Sequence, residues 1–241
     1  MSEVVLIFLE LLHFIKMVLC GRDFMQSKSL LGSYFKTIVE PYKMFNELQE
    51  KPNTLRPFLI ILLSGIILTV VTFPHTFKEI KYLFNLDSSI STTVVVFFIF
   101  TFLICGSVII EWVMLSVLLY FIISLLSPAI SNFRIVFSVA GFSWVPIILK
   151  TISFATLVLI TGEVFEPVGL RVLVPNLDHD VAVALLNQVE PFLIWQFVLL
   201  YFGVKALLKS ERRVAPLLIV SIIFVANLTL KTIPSIMTSF L

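Results

Sequence analysis

"TVVVFFIFTFLICGSVIIEWVMLSVLLYFIISLL" occupies residues 93–126 and holds a single charged side chain, Glu111. A bilayer core about 30 Å thick needs roughly 20 apolar residues in a helix to cross it. Backbone groups in lipid must bond within their own segment, so a run this long is expected to be helical. The whole chain agrees with that solvent. Of its 241 residues, 59% are hydrophobic and 13% charged, and the mean hydropathy is +1.07. Soluble domains carry roughly 25% charged residues. There is too little polar surface here to cover a globule in water.

Four more segments are long and apolar enough to cross: 57–73, 135–160, 191–208 and 214–233. The expectation is an all-α, polytopic membrane helix bundle of five transmembrane helices. Pro57, Pro191 and Pro216 fall near span starts, where a missing N–H costs little. Pro146 lies inside the third span and is expected to bend it. Residues 1–52 form an amphipathic, interfacial segment on the cytosolic side, and 53–241 the membrane domain. Within the first part, residues 2–20 gather Glu3, Glu10, His13 and Lys16 in one helical sector, which suits a helix lying on the leaflet. A sixth span is the other reading of that stretch. "PYKMFNELQE" at 41–50 is a second amphipathic helix, with Tyr42, Phe45 and Leu48 at three-residue steps. The opening residues lack the positive n-region of a secretory signal. The 75–92 loop could hold a short interfacial helix, and "HDVAVALLNQVE" in the 162–190 loop another.

Basic residues set the orientation. Arg134, Lys205, Lys209, Arg212 and Arg213 join the basic N-terminal segment if the N-terminus is cytoplasmic and the C-terminus outside. Lys78, Lys81, Arg171 and Lys231 then face outward, and Lys150 remains within a span. Those same inner residues are candidates for contact with anionic lipid or a partner, each contributing about 1 kcal/mol near such a surface.

A lone ionised side chain at the centre of a span costs roughly 2.5–3.5 kcal/mol. Glu111 therefore needs a partner, a proton or water. Glu111 lies fifteen residues before Leu126, and Lys150 fifteen after Ile135. At about 1.5 Å per residue, both stand near 22 Å from the same turn. The expectation is an intramembrane ion pair, Glu111–Lys150. Placement of Glu111 near the outer headgroups, with Lys150 snorkelling along its stem, is the plainer alternative. Gly141, Ser143, Trp144 and Pro146 suggest a helix-packing notch, because small residues admit close helix approach. A lipid- or peptide-binding groove is the sharper reading of the same residues.

Little points to catalysis. No nucleophile elbow, phosphate loop or H-E-x-x-H helix is present. Asp178, His179 and Asp180 are consecutive, and consecutive residues rarely all face one ion; a solvated turn is expected. Cys20 and Cys105 have no metal or disulfide spacing. No cofactor, metal or catalytic residue is expected, and the absence of a basic stripe excludes nucleic acid.

"EPYKMFNELQEKPNTLRPFLIILLSG" at 40–65 resembles the entry of the Yip-domain family of Rab-interacting polytopic membrane proteins. The carriers are Pro41, Phe45, Glu50, Lys51 and Pro52. "SNFRIVFSVAGFSWVPIIL" at 131–149 is similar to the family's Phe-Arg turn and the small-residue and Pro segment after it. "FLIWQFVLLYFGVKALLKSERRVA" at 192–215 resembles its fourth span and basic loop. The likeness covers residues 36–235 and implies five spans with a cytosolic N-terminus. The Asp-Leu-Tyr-Gly-Pro segment of eukaryotic members is not found, so a Rab-type GTPase is not expected as partner. The prokaryotic branch is the closer fit, which implies a prokaryotic plasma membrane. Some of its members resemble accessory subunits of ATP-binding-cassette exporters. The resulting expectation is a non-enzymatic scaffold or accessory subunit acting on membrane lipids and other membrane subunits. The alternative is a small transporter or channel-like protein with a polar path past Glu111 and Lys150.

Overall fold

The structure, a computed structural model, describes residues 30–85, 89–126, 132–164, 169–174, 180–209 and 214–239. The segment 2–20 lies outside them. Among the described residues the regular structure is helical: α1 (Leu30–Val39), α2 (Pro41–Glu50), α3 (Leu55–Phe84), α4 (Ile90–Leu126), α5 (Phe133–Phe142), α6 (Val145–Thr161), a 3-10 turn at Leu170–Leu173, α7 (Asp180–Gln188), α8 (Pro191–Leu208) and α9 (Val214–Ser239). Five stretches are long and apolar enough to cross a membrane: α3, α4, α5 with α6, α8, and Val214–Ile233 of α9. The chain is an integral membrane protein built as an all-α polytopic bundle.

Local chemistry sets the helix ends. Pro41 and Pro191 open α2 and α8 in the first turn, where no backbone donor is lost. The Asn132 side chain accepts a hydrogen bond from the Arg134 amide at 3.0 Å and caps α5. α3, α6 and α8 end on left-handed residues, Asn85, Gly162 and Lys209, whose amides return to carbonyls of the preceding turn. This is the usual way of satisfying terminal carbonyls.

The first span runs further than the sequence suggests. α3 carries through Pro74 to Phe84, where a loop from residue 75 was expected. Proline removes one ladder bond, but aromatic packing across the hairpin holds the helix. The Phe73 ring lies 5.0 Å from Phe97 and 6.1 Å from Phe100 of α4, and stacks on Phe77 one turn ahead at 5.3 Å.

The third span also departs from expectation, because its interruption precedes Pro146. α5 ends at Phe142, the chain turns through Ser143 and Trp144, and Pro146 sits in the first turn of α6. A ring with no N–H is suited to that position.

The helices pack in definite registers. α3 and α4 are antiparallel, with Phe58 opposite Trp112 at 6.5 Å. α4 continues past the start of α3 and lies on α5, where Trp112 packs on Phe137 at 4.0 Å and Tyr120 meets Phe133 edge-on at 5.3 Å. α6 climbs beside α3, with Val71, Ala155 and Val158 buried together. α8 and α9 close the bundle, and Phe197 meets Phe224 edge-on at 4.9 Å. The main core gathers Phe45, Ile61, Trp112, Leu119, Phe142, Leu200 and Ile223. α2 takes part in it: Met44, Phe45 and Leu48 are buried, while Tyr42 stays exposed. Gln49 Nε2 donates to the Ala206 carbonyl at 2.6 Å, tying α2 to the end of α8.

Candidate functional site

Two ion pairs link parts of the bundle, one between α4 and α9 and one from α6 to the residue before α8. Lys231 Nζ of α9 lies 2.5 Å from Glu111 Oε1 of α4. Lys150 of α6 pairs with Glu190, the residue that precedes α8. Glu111 and Lys150 are therefore both paired, but not to each other as expected. The reason is register. Tyr120 is level with Phe133, so α4 runs six residues past the start of α5 before it ends at Leu126. Counted from that shared level at about 1.5 Å per residue, Glu111 stands about 14 Å along the bundle and Lys150 about 26 Å. A gap of some 12 Å is too wide for the two side chains to close. The third helix pair then supplies Glu111 with its cation. Lys231 lies in α9, near the end of the stretch Val214–Ile233, and faces α4.

The pairs differ in their surroundings. The Glu111 and Lys231 side chains are 37% and 32% exposed, on the seam between α4 and α9. Glu190 is 15% exposed and Lys150 31%. One turn before Lys231, Asn227 has a buried Oδ1 with no hydrogen-bonding partner among the described residues.

Gly141, Ser143, Trp144 and Pro146 lie together at the turn between α5 and α6, and all are buried. A Cβ on Gly141 would fall 2.5 Å from Pro57 Cβ and 3.1 Å from Trp112 Cζ2. α5 is thus in backbone-level contact with α3 and α4 at this point. Ser143 Oγ donates to the Ala140 carbonyl at 2.7 Å, satisfying a hydroxyl that has no exposure. Around the same turn Tyr34 packs on Phe142 at 5.1 Å. The Tyr34 hydroxyl and the indole nitrogens of Trp112 and Trp144 are buried with no partner among the described residues. Burial pushes the Tyr34 hydroxyl well above its ordinary range, with the Arg56 guanidinium pulling the other way.

A second close approach went unnoticed in the sequence. A Cβ on Gly203 would come within 2.3 Å of Val139 Cγ1, so α8 presses on α5 there. The signal was present as a glycine inside an apolar span, but its neighbour is far away in sequence. Other such partners are Lys36 with Glu47 at 2.5 Å, and Arg56 Nη1 donating to Ser33 Oγ at 2.8 Å.

Of the basic candidates, Arg134 is exposed at the start of α5 and Lys209 at the end of α8. Lys205 Nζ lies 5.4 Å above the Tyr42 ring, within cation–π range. Arg212 and Arg213 lie outside the described residues, as do Asp178 and His179. Among the described residues no group of His, Cys, Asp and Glu could hold a metal ion.

Neither the curated proteins nor the solved structures contain a match to this chain. The Yip1 domain matches residues 35–231. That span begins in α1, takes in the Gly141 turn and ends on Lys231, so both interhelical ion pairs fall within it. The five apolar spans and the extent of this match agree, and the chain belongs to the Yip1-domain family.

Proposed function

We propose that this protein is a non-enzymatic scaffold or accessory subunit of a membrane assembly, acting by helix and lipid contacts. The observation that carries the reading is the use made of Glu111 and Lys150, the two charges deep in the sequence of their spans. Each is paired within the same chain, Glu111 with Lys231 of α9 and Lys150 with Glu190 at the start of α8. Charges used in this way fix which helices are neighbours. A conducting path instead needs polar groups in line along one route. The transporter reading has a polar path past Glu111 and Lys150; their pairing with two different partners supports the structural role instead.

The reading extends to placement. The N-terminus is cytoplasmic and the C-terminus outside, in a prokaryotic plasma membrane. Arg134, Lys205 and Lys209 then meet anionic headgroups or a partner at the inner face, and the buried Gly141–Pro146 turn serves as a packing notch. An ATP-binding-cassette exporter is the kind of assembly that the family resemblance suggests.

The test is purification of the protein from its own membrane in mild detergent, with identification of co-purifying chains. A second membrane protein at fixed stoichiometry supports the reading. Recovery of this chain with lipid alone, as monomer or homo-oligomer, overturns it.

A further inference from the structure

The third span breaks inside the core, and the break strands polar groups of both kinds. α5 ends at Phe142 and α6 begins at Val145. In an unbroken helix the Phe142 carbonyl would accept from the amide of residue 146. That residue is Pro146, which has no N–H to give, and Phe142 is wholly buried. The donors are indoles. Trp112 and Trp144 are 1% and 2% exposed, and neither Nε1 has an acceptor among the described residues.

Both indoles belong to the same turn. Trp144 is part of it, and its amide donates to the Gly141 carbonyl at 3.2 Å. Trp112 reaches it from α4: its Cζ2, on the edge of the indole that carries the nitrogen, lies 3.1 Å from a Cβ built on Gly141. Aromatic faces do not take up the Trp112 proton. The Phe58 and Phe137 rings are tilted only 38° and 34° from the indole plane, so an N–H lying in that plane points into neither face. The polar groups continue on α1, where the Tyr34 hydroxyl is also buried with no partner among the described residues and its ring meets Phe142 at 5.1 Å.

Buried polar groups are rarely left unpaired in native proteins. The occupant that serves this turn has to accept from an N–H and donate to a carbonyl. Phosphodiesters and carboxylates only accept. Water does both, and a buried water typically makes about three hydrogen bonds to groups of this sort. Ser143 Oγ, in the same turn, donates to the Ala140 carbonyl at 2.7 Å and keeps lone pairs with which to accept.

We propose that the α5–α6 break is a hydration site, where bound water accepts from the indoles of Trp112 and Trp144 and donates to the Phe142 carbonyl. The site does not depend on the accessory role proposed above.

The test is radiolytic labelling of purified full-length protein in phospholipid nanodiscs, prepared in water enriched in heavy oxygen. Hydroxyl radicals form from water itself, so a buried ring is oxidised where water is bound beside it. Trp112 and Trp144 are expected to take up the heavy oxygen, while Phe45 and Phe197, also buried in the core, stay at background. Labelling should be unchanged in detergent free of phospholipid and phosphate. A second readout is the indole N–H spectrum of nitrogen-labelled protein. The chain has three tryptophans, so Trp195→Phe leaves the two signals of the site, and each is expected to show magnetisation transfer from water. Background labelling at either tryptophan, labelling at Tyr34 alone, or indole signals with no transfer from water would each overturn the proposal. So would labelling that emerges only once phospholipid and phosphate are removed, which would assign the turn to an anionic headgroup or free phosphate.

Discussion

The Glu111–Lys231 pair can be tested by a double-mutant cycle. Glu111→Gln leaves Lys231 without its anion inside a span. A lone cation at mid-bilayer costs roughly 2.5–3.5 kcal/mol on insertion scales. The Lys231 side chain is 32% exposed, and its stem can carry the ammonium toward a wetter level. The expected loss is therefore smaller, about 1–2 kcal/mol. Lys231→Gln should cost a similar amount by stranding Glu111. The double neutral variant removes both charges, so it should be less destabilised than the sum of the singles by about 1–2 kcal/mol. The exchanged pair, Glu111→Lys with Lys231→Glu, should recover much of what each reversal alone loses.

The assay is reversible unfolding in mixed micelles, where a coupling of 1.4 kcal/mol reads as about a tenfold change in the equilibrium constant. The second arm of the cycle uses Lys150. Glu111→Gln and Lys150→Gln should add within about 0.5 kcal/mol, because they belong to different pairs. Lys150→Gln and Glu190→Gln should not add. Strong coupling of Glu111 to Lys150, or none to Lys231, would refute the register from which the pairing is argued.

Three more expectations concern packing and protonation. Gly203→Ala should destabilise by about 1–3 kcal/mol through overpacking, because its Cβ would sit 2.3 Å from Val139 Cγ1; Val139→Ala in the same chain should relieve part of the loss on a denaturation curve. Gln49→Ala removes the bond to the Ala206 carbonyl, should cost about 1 kcal/mol, and should raise amide exchange across α2 before it does so in α3. The Tyr34 hydroxyl is buried with no partner among the described residues and is held above its ordinary value of 10.0. The unfolded chain therefore loses that proton first, and stability is full below pH 10.0 and falls as pH rises above it. Tyr34→Phe should leave stability at neutral pH unchanged or slightly higher, and should flatten the alkaline loss seen in unfolding midpoints.

The spans were legible because bilayer thickness converts directly into a length of apolar sequence, and a helix satisfies every backbone group within its own segment. The helical stretch after residue 180 and the amphipathic α2 were legible for the same kind of reason, since each carries its own period. What could not be read locally was contact across the bundle. Pro74, His75 and Lys78 look like the end of a span, whereas Phe73 beside them packs on Phe97 and Phe100 of α4, more than twenty residues later. Glu111 was legible as a residue that needs a partner, because a single carboxylate among apolar neighbours is costly in any membrane register. The identity of that partner was not. Counting residues from a shared turn assumes that both helices meet it at one level, whereas α4 ends six residues beyond the level of Phe133. Lys150 then stands just over two turns beyond Glu111, and Lys231 of α9 takes its place. Charge need is a property of one residue and its solvent; charge partnership is a property of how helices start, break and face one another, which here turns on Ser143, Trp144 and the aromatic contacts of Trp112 and Tyr120.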